Sequence, residues 1–321
     1  MRRRGSILFV LLVVLAALQL GQRAAFEAYS LPGAGQSAQD FFAPESGSRA
    51  VAGALVKAGA IAHPLVFRAA AYVTRGQGRL RAGEYLIPAR ASIKEILALL
   101  RHGPQVEHQL TIPEGLTGAQ IAAILNAAPL AAGQVAAPEE GSVLPQTYDY
   151  LWNTPRPAIL RRAQDALQAA LSTAWAGRDP GIPLNSPQDA VILASIVQAE
   201  AKLTPEMPHI AAVYENRLKQ GMKLQADPTV IYAATGGKQS GGAGISRADL
   251  ANPSPYNTYV YPGLPPGPIN APGLAAIDAV LHPLKTDDLY FVANGTGGHT
   301  FSHFFRDQLT AIKHFLRLHK P

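Results

Sequence analysis

The chain has 321 residues, of which 48% are hydrophobic and 16% charged, a composition typical of a folded globular protein rather than a disordered one. Its net charge is +6, but no basic stripe carries interleaved aromatic residues, so nucleic acid is not expected as a partner. The absence of cysteine excludes disulfides, thiol nucleophiles and cysteine-ligated metal sites. The length allows two domains, or one large domain with a tail.

The N-terminus has the pattern of a membrane anchor. Three arginines at positions 2–4 precede an apolar run over residues 7–18. With its flanks this run is close to the lower limit of about 17 residues for a membrane span, and the preceding positive charge keeps the N-terminus in the cytoplasm. A cleaved signal peptide is the alternative, although no small-x-small cleavage site follows. We therefore predict a single-pass anchor in residues 1–27, a linker at 28–39 and an exported body.

After the linker a local pattern recurs: a short β-like run, a proline, and then a Ser or Thr that can cap an amphipathic helix. The predicted caps and the helices that follow them are Ser48 (49–59), Ser92 (93–101) and Thr117 (118–126). A further helix is predicted to begin at Pro64. The order strand, helix, helix, strand in residues 40–88 is similar to the LysM-type sugar-binding domain. The alternative is ordinary α+β packing without carbohydrate contact.

Glu200 ends a helix with a strong start signal, in which Ser186 caps the helix and Pro187 occupies its first turn. Helical spacing places Glu200 on one face with three apolar residues, namely Leu193, Ile196 and Val197. Burial beside apolar groups raises the pKa of a carboxyl group, and a raised pKa is what a general acid requires near neutral pH. The alternative is an exposed helix-end glutamate, or one paired with Lys202.

Three later segments have recognisable local signals. Thr204 is predicted to cap a helix whose first position is Pro205, and Asp227-Pro228-Thr229 is predicted to open another. The loop at 253–259 carries tyrosine rings and amide or hydroxyl groups, which suit a sugar. The turn at Asp227-Pro228-Thr229 is expected to place polar side chains beside the preceding elements.

The C-terminal region predicts a β-hairpin. Residues 289–293 and 299–303 alternate around a glycine-rich turn, which is typical of two paired strands. His299 and His303 would then lie on a strand rather than on one helical face, so no zinc site is expected. The glycine-rich segment 236–244 lacks the strand and the Lys-Ser/Thr ending of a phosphate loop.

Several motifs, taken in order, closely resemble those of the endolytic murein transglycosylases. They are Ala194-Ser195-Ile196-Val197-x-x-Glu200, Val213-Tyr214-x-Asn216-Arg217-Leu218, Gly221-Met222-x-Leu224-Gln225-x-Asp227-Pro228-Thr229-Val230-Ile231-Tyr232, Ser246-Arg247-x-Asp249-Leu250, Tyr256-Asn257-Thr258-Tyr259, Gly263-Leu264-Pro265-Pro266-Gly267-x-Ile269 and Gly297-Gly298-His299-Thr300-Phe301. The resemblance extends from about residue 40 to the C-terminus.

This resemblance implies an α+β protein with an N-terminal membrane anchor, a LysM-like module at 40–110 and a catalytic transglycosylase domain at 111–321. It implies an enzyme of the bacterial inner membrane that acts on peptidoglycan in the periplasm, needs no cofactor or metal, and has peptidoglycan synthases (penicillin-binding proteins) as partners. Glu200 is the expected catalytic acid. The residues expected to hold the glycan are Gln225, Asp227, Thr229, Ser246, Asn257, Thr258 and Tyr259.

One departure from the family pattern sharpens the assignment of the acid. Members often have two acidic residues in the form Ile-Val-Glu-x-Glu, whereas this chain has Gln198 in the first place. Glu200 alone would therefore protonate the glycosidic oxygen between N-acetylmuramic acid and N-acetylglucosamine. The sugar's own C6 hydroxyl would attack C1, and the same glutamate would accept its proton. If Asp227 lies across the cleft with a water molecule, hydrolysis becomes the alternative outcome.

Two other function classes remain as alternatives at this stage. A membrane-tethered scaffold that binds peptidoglycan without cleaving it would need the same glycan-binding loops but no acid. A serine hydrolase using Ser195 or Ser246 is less well supported, because no Gly-x-Ser-x-Gly motif is present.

Overall fold

The computed structural model describes residues 2–237 and 244–318, without the side chains of 2–12, 17, 18 and 318. The helices are α1 (Arg2–Ser30), α2 (Gly47–Lys57), α3 (Pro64–Val73), α4 (Ile93–His102), α5 (Gly118–Ala127), α6 (Arg156–Ala176), α7 (Pro187–Glu200), α8 (Met207–Lys219), α9 (Asp227–Thr235), α10 (Arg247–Leu250), α11 (Leu274–Leu281) and α12 (Phe305–Leu318). The strands are β1 (Gln39–Ala43), β2 (Gly83–Ile87), β3 (Glu107–Thr111), β4 (Thr147–Leu151), β5 (Tyr290–Ala293) and β6 (His299–Ser302).

The fold is mixed α+β, and in the described part of the chain the strands pair as β1–β2, β3–β4 and β5–β6. The chain divides into two compact units. The first comprises the residues up to His108 together with Tyr150–Asn153, and the second comprises Gln109–Asp149 together with the residues from Thr154 onward. Most of the glycine-rich segment considered above, residues 238–243, lies outside the described residues.

The first unit contains the predicted order of strand, helix, helix, strand. β1 and β2 are antiparallel, with Phe41 opposite Tyr85, and α2 and α3 lie between them in the chain. One face of this strand pair is buried with the apolar faces of α2, α3 and α4, and the fully buried side chains at its centre include Leu55, Phe67 and Ile96. Alternation along the strands and helical periodicity thus direct the same residue types into one core.

Two of the three predicted caps are confirmed. Ser92 and Thr117 each form a capping box, with Glu95 and Gln120 respectively. The prediction for Ser48 is wrong, because α2 begins one residue earlier, at Gly47, and its N-cap is Ser46, whose side chain makes no capping bond. The predicted start of α3 at Pro64 is confirmed.

The second unit is built around α7, which is buried over residues 190–197 and therefore lies at the centre of the core. The helices α6, α8 and α11 pack around it, contributing Leu167, Ile210 and Ile277 among other apolar side chains. Hydrophobic residues on all sides of a helix indicate such a central position rather than a surface one. The last turn of α7, residues 198–200, emerges from this core.

The second unit contains the predicted β-hairpin but not the helix cap predicted at Thr204. The β-hairpin is confirmed, since β5 and β6 are antiparallel with Phe291 opposite Phe301. The cap predicted at Thr204 is wrong: Thr204–Glu206 is a short 3-10 helix, and α8 follows it from Met207 without a side-chain cap. Glu206 instead bonds to His299, far along the chain.

The N-terminal helix α1 extends to Ser30, so it includes the first three residues of the predicted linker. Among the residues described, no helix combines the length and the apolar character needed to cross a bilayer. Most of the predicted apolar run lies in the part of α1 whose side chains are not described.

Candidate active site

Glu200 is the last residue of α7, where this buried helix reaches a cavity. Ser186 accepts a hydrogen bond from the backbone of Asp189, as expected for the cap, and Pro187 is the first residue of the helix. Ile196 and Val197 are fully buried, whereas Glu200 is partly exposed. The predicted apolar face thus ends with a carboxyl group at the edge of the core.

The cavity beside Glu200 has a volume of about 340 Å³. It is lined by residues from α7, α8, α9, β5, β6 and two loops: Glu200, Tyr214, Arg217, Leu224, Gln225, Asp227, Tyr259, Phe291, Val292, Ala293 and His299. A concave site with a few converging polar groups is the usual form of a small-ligand or catalytic pocket.

The surroundings of Glu200 raise the pKa of its carboxyl group to about 7. Burial is the main cause, and the negative charge of Asp227 acts in the same direction, while the hydrogen bond from Tyr214 and the positive charge of Arg217 oppose it. Lys202 is exposed, and within the described residues it forms no ion pair with Glu200. At neutral pH a substantial fraction of Glu200 is therefore protonated and able to donate a proton.

Two residues of α8 hold the site together and were not assigned a role from the sequence. The hydroxyl group of Tyr214 donates to Oε1 of Glu200 at 2.9 Å. Arg217 is buried and donates from Nε to the carbonyl of Leu289 at 2.7 Å and from Nη1 to that of Leu224 at 2.6 Å. It therefore joins α8 to the segment before β5 and to the segment before α9. Both residues belong to the motif Val213-Tyr214-x-Asn216-Arg217-Leu218, and this motif was the sequence signal that could have identified them.

Three of the predicted glycan-binding residues line the cavity. Asp227 is the first residue of α9 and accepts a hydrogen bond from the hydroxyl group of Tyr259 at 2.6 Å. Gln225 is exposed and has a backbone φ of 51°, a left-handed conformation that is costly for a side chain other than glycine. Strain of this kind, at a position facing a cavity, is typical of functional sites.

Three other predicted glycan-binding residues are buried beneath the cavity and offer no surface to a ligand. The Thr229 and Thr258 hydroxyls lie 2.8 Å apart, and Thr258 also accepts from the backbone N–H of Ala226 at 3.0 Å. Asn257 donates to three backbone carbonyls of residues 249–252. The hydrogen-bonding groups of these three residues are thus bound to other residues of the chain and hold the loops together.

The two serines considered as nucleophiles lie elsewhere or are inaccessible. Ser246 does not line the cavity; it caps α10 in a capping box with Asp249. Ser195 is fully buried, donates to the carbonyl of Ile192 and accepts from the backbone N–H of Ile269. Ser195 is therefore inaccessible to a substrate, and the exposed hydroxyl group of Ser246 is bound to Asp249 outside the cavity, so neither serine is placed to act as a nucleophile in this site.

The histidines of the hairpin do not pair with each other. His299 is bound to Glu206, with 2.7 Å between Nδ1 and Oε2, and it lines the cavity, which the sequence did not predict. His303 is bound to the backbone carbonyl of Asp287. In residues 2–237 and 244–318 no group of three or more histidine or acidic side chains could hold a metal ion.

The amino-acid sequence of the chain is similar to those of known proteins. The YceG-like family matches residues 42–314. An endolytic murein transglycosylase of Bacillus subtilis is 41% identical over 124 residues, which are 39% of this chain and 33% of that protein. One from Streptococcus pneumoniae serotype 2 is 29% identical over 296 residues, covering 77% of this chain and 52% of that protein. The chain thus aligns with a third to a half of the length of these relatives.

A solved structure shares the fold. The crystal structure of a yceG-like protein from Listeria monocytogenes superposes with a TM-score of 0.52 at 26% sequence identity. The match covers 86% of this chain and 99% of the Listeria chain.

Proposed function

Because the chain belongs to the YceG-like family, we propose that it is a peptidoglycan lytic transglycosylase. It cleaves the bond between N-acetylmuramic acid and N-acetylglucosamine in nascent strands, leaves a 1,6-anhydro end on the muramic acid, and so terminates glycan elongation. The observation that supports this most strongly is Glu200, a carboxyl group with a pKa of about 7 in a cavity lined by polar and aromatic side chains.

The chemistry requires one proton donor and an internal nucleophile. Glu200 protonates the bridging oxygen as the bond to C1 breaks, and the C6 hydroxyl group of the same sugar attacks C1. The proton of that hydroxyl group must pass to a base, and Glu200, ionised by the first transfer, is one available acceptor. An ordinary glycosidase needs a second carboxylate for water or for a covalent intermediate. Asp227 already accepts a hydrogen bond from Tyr259, and its charge serves to keep Glu200 protonated.

Mass analysis of released glycan fragments tests this proposal. The full-length protein should release fragments with 1,6-anhydro-muramic ends, and Glu200→Gln should release none because its amide cannot donate a proton to the bridging oxygen. Glu139→Gln, which changes an exposed carboxyl group outside the cavity, is the matched control and should be active. Reducing muramic ends without any anhydro form would instead indicate hydrolysis.

A scaffold that binds glycan without cleaving it is less well supported. Binding alone needs no proton donor, and a partly protonated carboxyl group in a binding cleft would bring no advantage to it. The two functions differ in one measurement: glycan binding by Glu200→Gln should persist in both cases, whereas cleavage by the unsubstituted protein occurs only if the chain is an enzyme.

We also propose that residues 7–18 anchor the chain in the inner membrane, with the N-terminus in the cytoplasm and the rest in the periplasm. The support is the arginine-flanked apolar run. Since the chain has no cysteine, single-cysteine variants report topology directly. A membrane-impermeant maleimide should label Ser172→Cys in spheroplasts and Ser6→Cys only after lysis. A purified protein that lacks residue 6 would indicate a cleaved signal peptide.

The LysM-like module is proposed to bind glycan, and peptidoglycan synthases are proposed as partners on the basis of the family. An aromatic pair supports the first point: Phe42 is 42% exposed, and its ring centroid lies 5.8 Å from that of Trp152 in the same unit. Exposed aromatic rings of this kind suit the apolar face of a sugar. In a Glu200→Gln background, Phe42→Ala should weaken glycan binding, and Leu65→Ala on α3 should not.

A further inference from the structure

A carboxylate–imidazole pair lies on the same cavity as Glu200. Nδ1 of His299 is 2.7 Å from Oε2 of Glu206, and the backbone N–H of His299 donates to Oε1 at 3.0 Å. Both oxygens of Glu206 are thus bound to one residue, which fixes the plane of the imidazole ring. The preceding Gly298 leaves room for this contact, because a Cβ atom there would collide with Oε1 of Glu206.

The hydrogen bond to Glu206 determines which nitrogen of His299 can accept a proton. A carboxylate acceptor at Nδ1 requires hydrogen on Nδ1, so in the neutral ring the lone pair is on Nε2. Within the described residues Nε2 makes no hydrogen bond, and His299 lines the cavity. The ring is held from the side by Phe291, with its centroid 5.2 Å away and the two planes nearly perpendicular.

The carboxyl group of Glu206 places a negative charge against this ring. Burial alone would raise the pKa of Glu206, but hydrogen bonds from the side chain and backbone of His299, with the positive charges of His299 and His209, hold it below its ordinary value. Glu206 is therefore ionised at neutral pH and stabilises an imidazolium beside it. A carboxylate that orients a histidine through its Nδ1–H is the arrangement that enzymes use for a histidine base.

We propose that His299, oriented by Glu206, is the base that accepts the proton of the attacking hydroxyl group. The inference rests on the proposed transglycosylase function. As the bond between C1 and the bridging oxygen breaks, its electron pair stays on that oxygen, which takes the proton of Glu200. The C6 oxygen bonds to C1, and its proton passes to Nε2 of His299. Glu200 ends as a carboxylate and His299 as an imidazolium, and exchange with solvent restores both.

The other ionisable groups that line the cavity come from four elements, and they too can influence the pH dependence of activity. They are Glu200 on α7, Tyr214 and Arg217 on α8, Asp227 on α9, and Tyr259 on the loop before α11. Only Glu200 and His299 are required to exchange protons in the proposed step. Activity should therefore need Glu200 protonated and His299 neutral, which gives a bell-shaped pH profile.

Steady-state kinetics of His299→Gln on glycan strands test the inference. Glutamine can fill the site and form hydrogen bonds but cannot take up a proton, so kcat should fall at least about 100-fold while KM changes little. The acidic limb of the pH profile should disappear, and the alkaline limb set by Glu200 should remain. His303→Gln, on the same hairpin but outside the cavity, is the matched control and should be unchanged.

A second measurement keeps the test decisive if glutamine disturbs the hairpin. His299→Ala should lose activity and regain part of it with added imidazole, whereas a purely structural role predicts no rescue. A kcat for folded His299→Gln within about threefold of the unsubstituted protein, with an unchanged acidic limb, overturns the inference. If the unsubstituted protein forms anhydro ends and Glu200→Gln does not, that result leaves the proposed function standing. If the unsubstituted protein forms none, both fail.

Discussion

Tyr214 donates a hydrogen bond to the carboxyl group of Glu200 from the adjacent helix, with 2.9 Å between the two oxygens. Tyr214 is almost completely buried, and this burial, together with the negative charge of Glu200, keeps the pKa of Tyr214 well above its ordinary value. The tyrosine therefore stays a donor and stabilises the ionised form of Glu200 more than the protonated form.

Tyr214→Phe should shift the alkaline limb of the pH profile upward. The lost hydrogen bond opposed the rise in the pKa of Glu200, so without it that pKa should increase further above about 7. A hydrogen bond of ordinary strength corresponds to about 0.5 to 1 pH unit. The measurement is kcat against pH, with Tyr232→Phe, outside the cavity, as control. A uniform fall in kcat with no displacement of the limb would show that Tyr214 acts on geometry alone.

Glu215→Gln should stabilise the protein at alkaline pH. Glu215 on α8 is buried, neither carboxyl oxygen has a hydrogen-bond partner among the described residues, and burial raises its pKa from 4.5 to about 7. Because the folded protein binds the proton more tightly than the unfolded chain does, the unsubstituted protein loses stability as pH rises from about 4.5 through about 7. The gain for the variant should be small at pH 5 and approach the order of 3 kcal/mol above pH 7.

Urea unfolding at pH 5 and pH 8 measures this difference. Glu139→Gln, at an exposed position, should show no pH-dependent gain. An equal gain for Glu215→Gln at both pH values would contradict a role for ionisation.

Thr258→Val should destabilise the second unit and impair catalysis together. The Thr258 hydroxyl group accepts from the N–H of Ala226 and bonds to Thr229, so valine, which has the same shape, leaves that N–H buried without a partner. The expected cost is about 1 to 3 kcal/mol in the free energy of unfolding. The backbone carbonyl of Thr258 accepts a hydrogen bond from the N–H of Gln225, so a shift of this loop should also displace Gln225 and lower kcat/KM. Thr173→Val, on the exposed face of α6, is the control for the loss of a hydroxyl group.

Gln225→Gly should increase the stability of the protein but lower its activity. Glycine adopts a φ of 51° without the steric cost that a side chain has there, a gain of up to about 1 kcal/mol. Loss of the side chain from the cavity should nevertheless lower kcat/KM. Asn153→Gly, at a φ of 61° outside the cavity, should gain stability with no change in activity. If Gln225→Gly has full activity, Gln225 makes no contact with the substrate that matters for turnover.

Much of the fold was predictable because its signals are local. The caps at Ser92, Thr117 and Ser186 and the start of α3 at Pro64 involve groups within four residues of each other, so the chain itself brings them together. A local signal misled at Thr204, which does not cap α8; in the same segment Glu206 is bound to a residue 93 positions later.

The sequence by itself determined that Glu200 would be the last residue of a helix and would lie on its apolar face. It also determined that no second acidic residue would lie two positions before Glu200. Helical periodicity and the replacement of a second acid by Gln198 suffice for that. Only the tertiary structure decided which polar groups share the cavity with Glu200: Tyr214 and His299 line it, whereas Thr258 is buried and does not. The reason is that residue type specifies hydrogen-bonding capacity, while the packing of α7, α8 and the hairpin decides whether a partner or a ligand satisfies it.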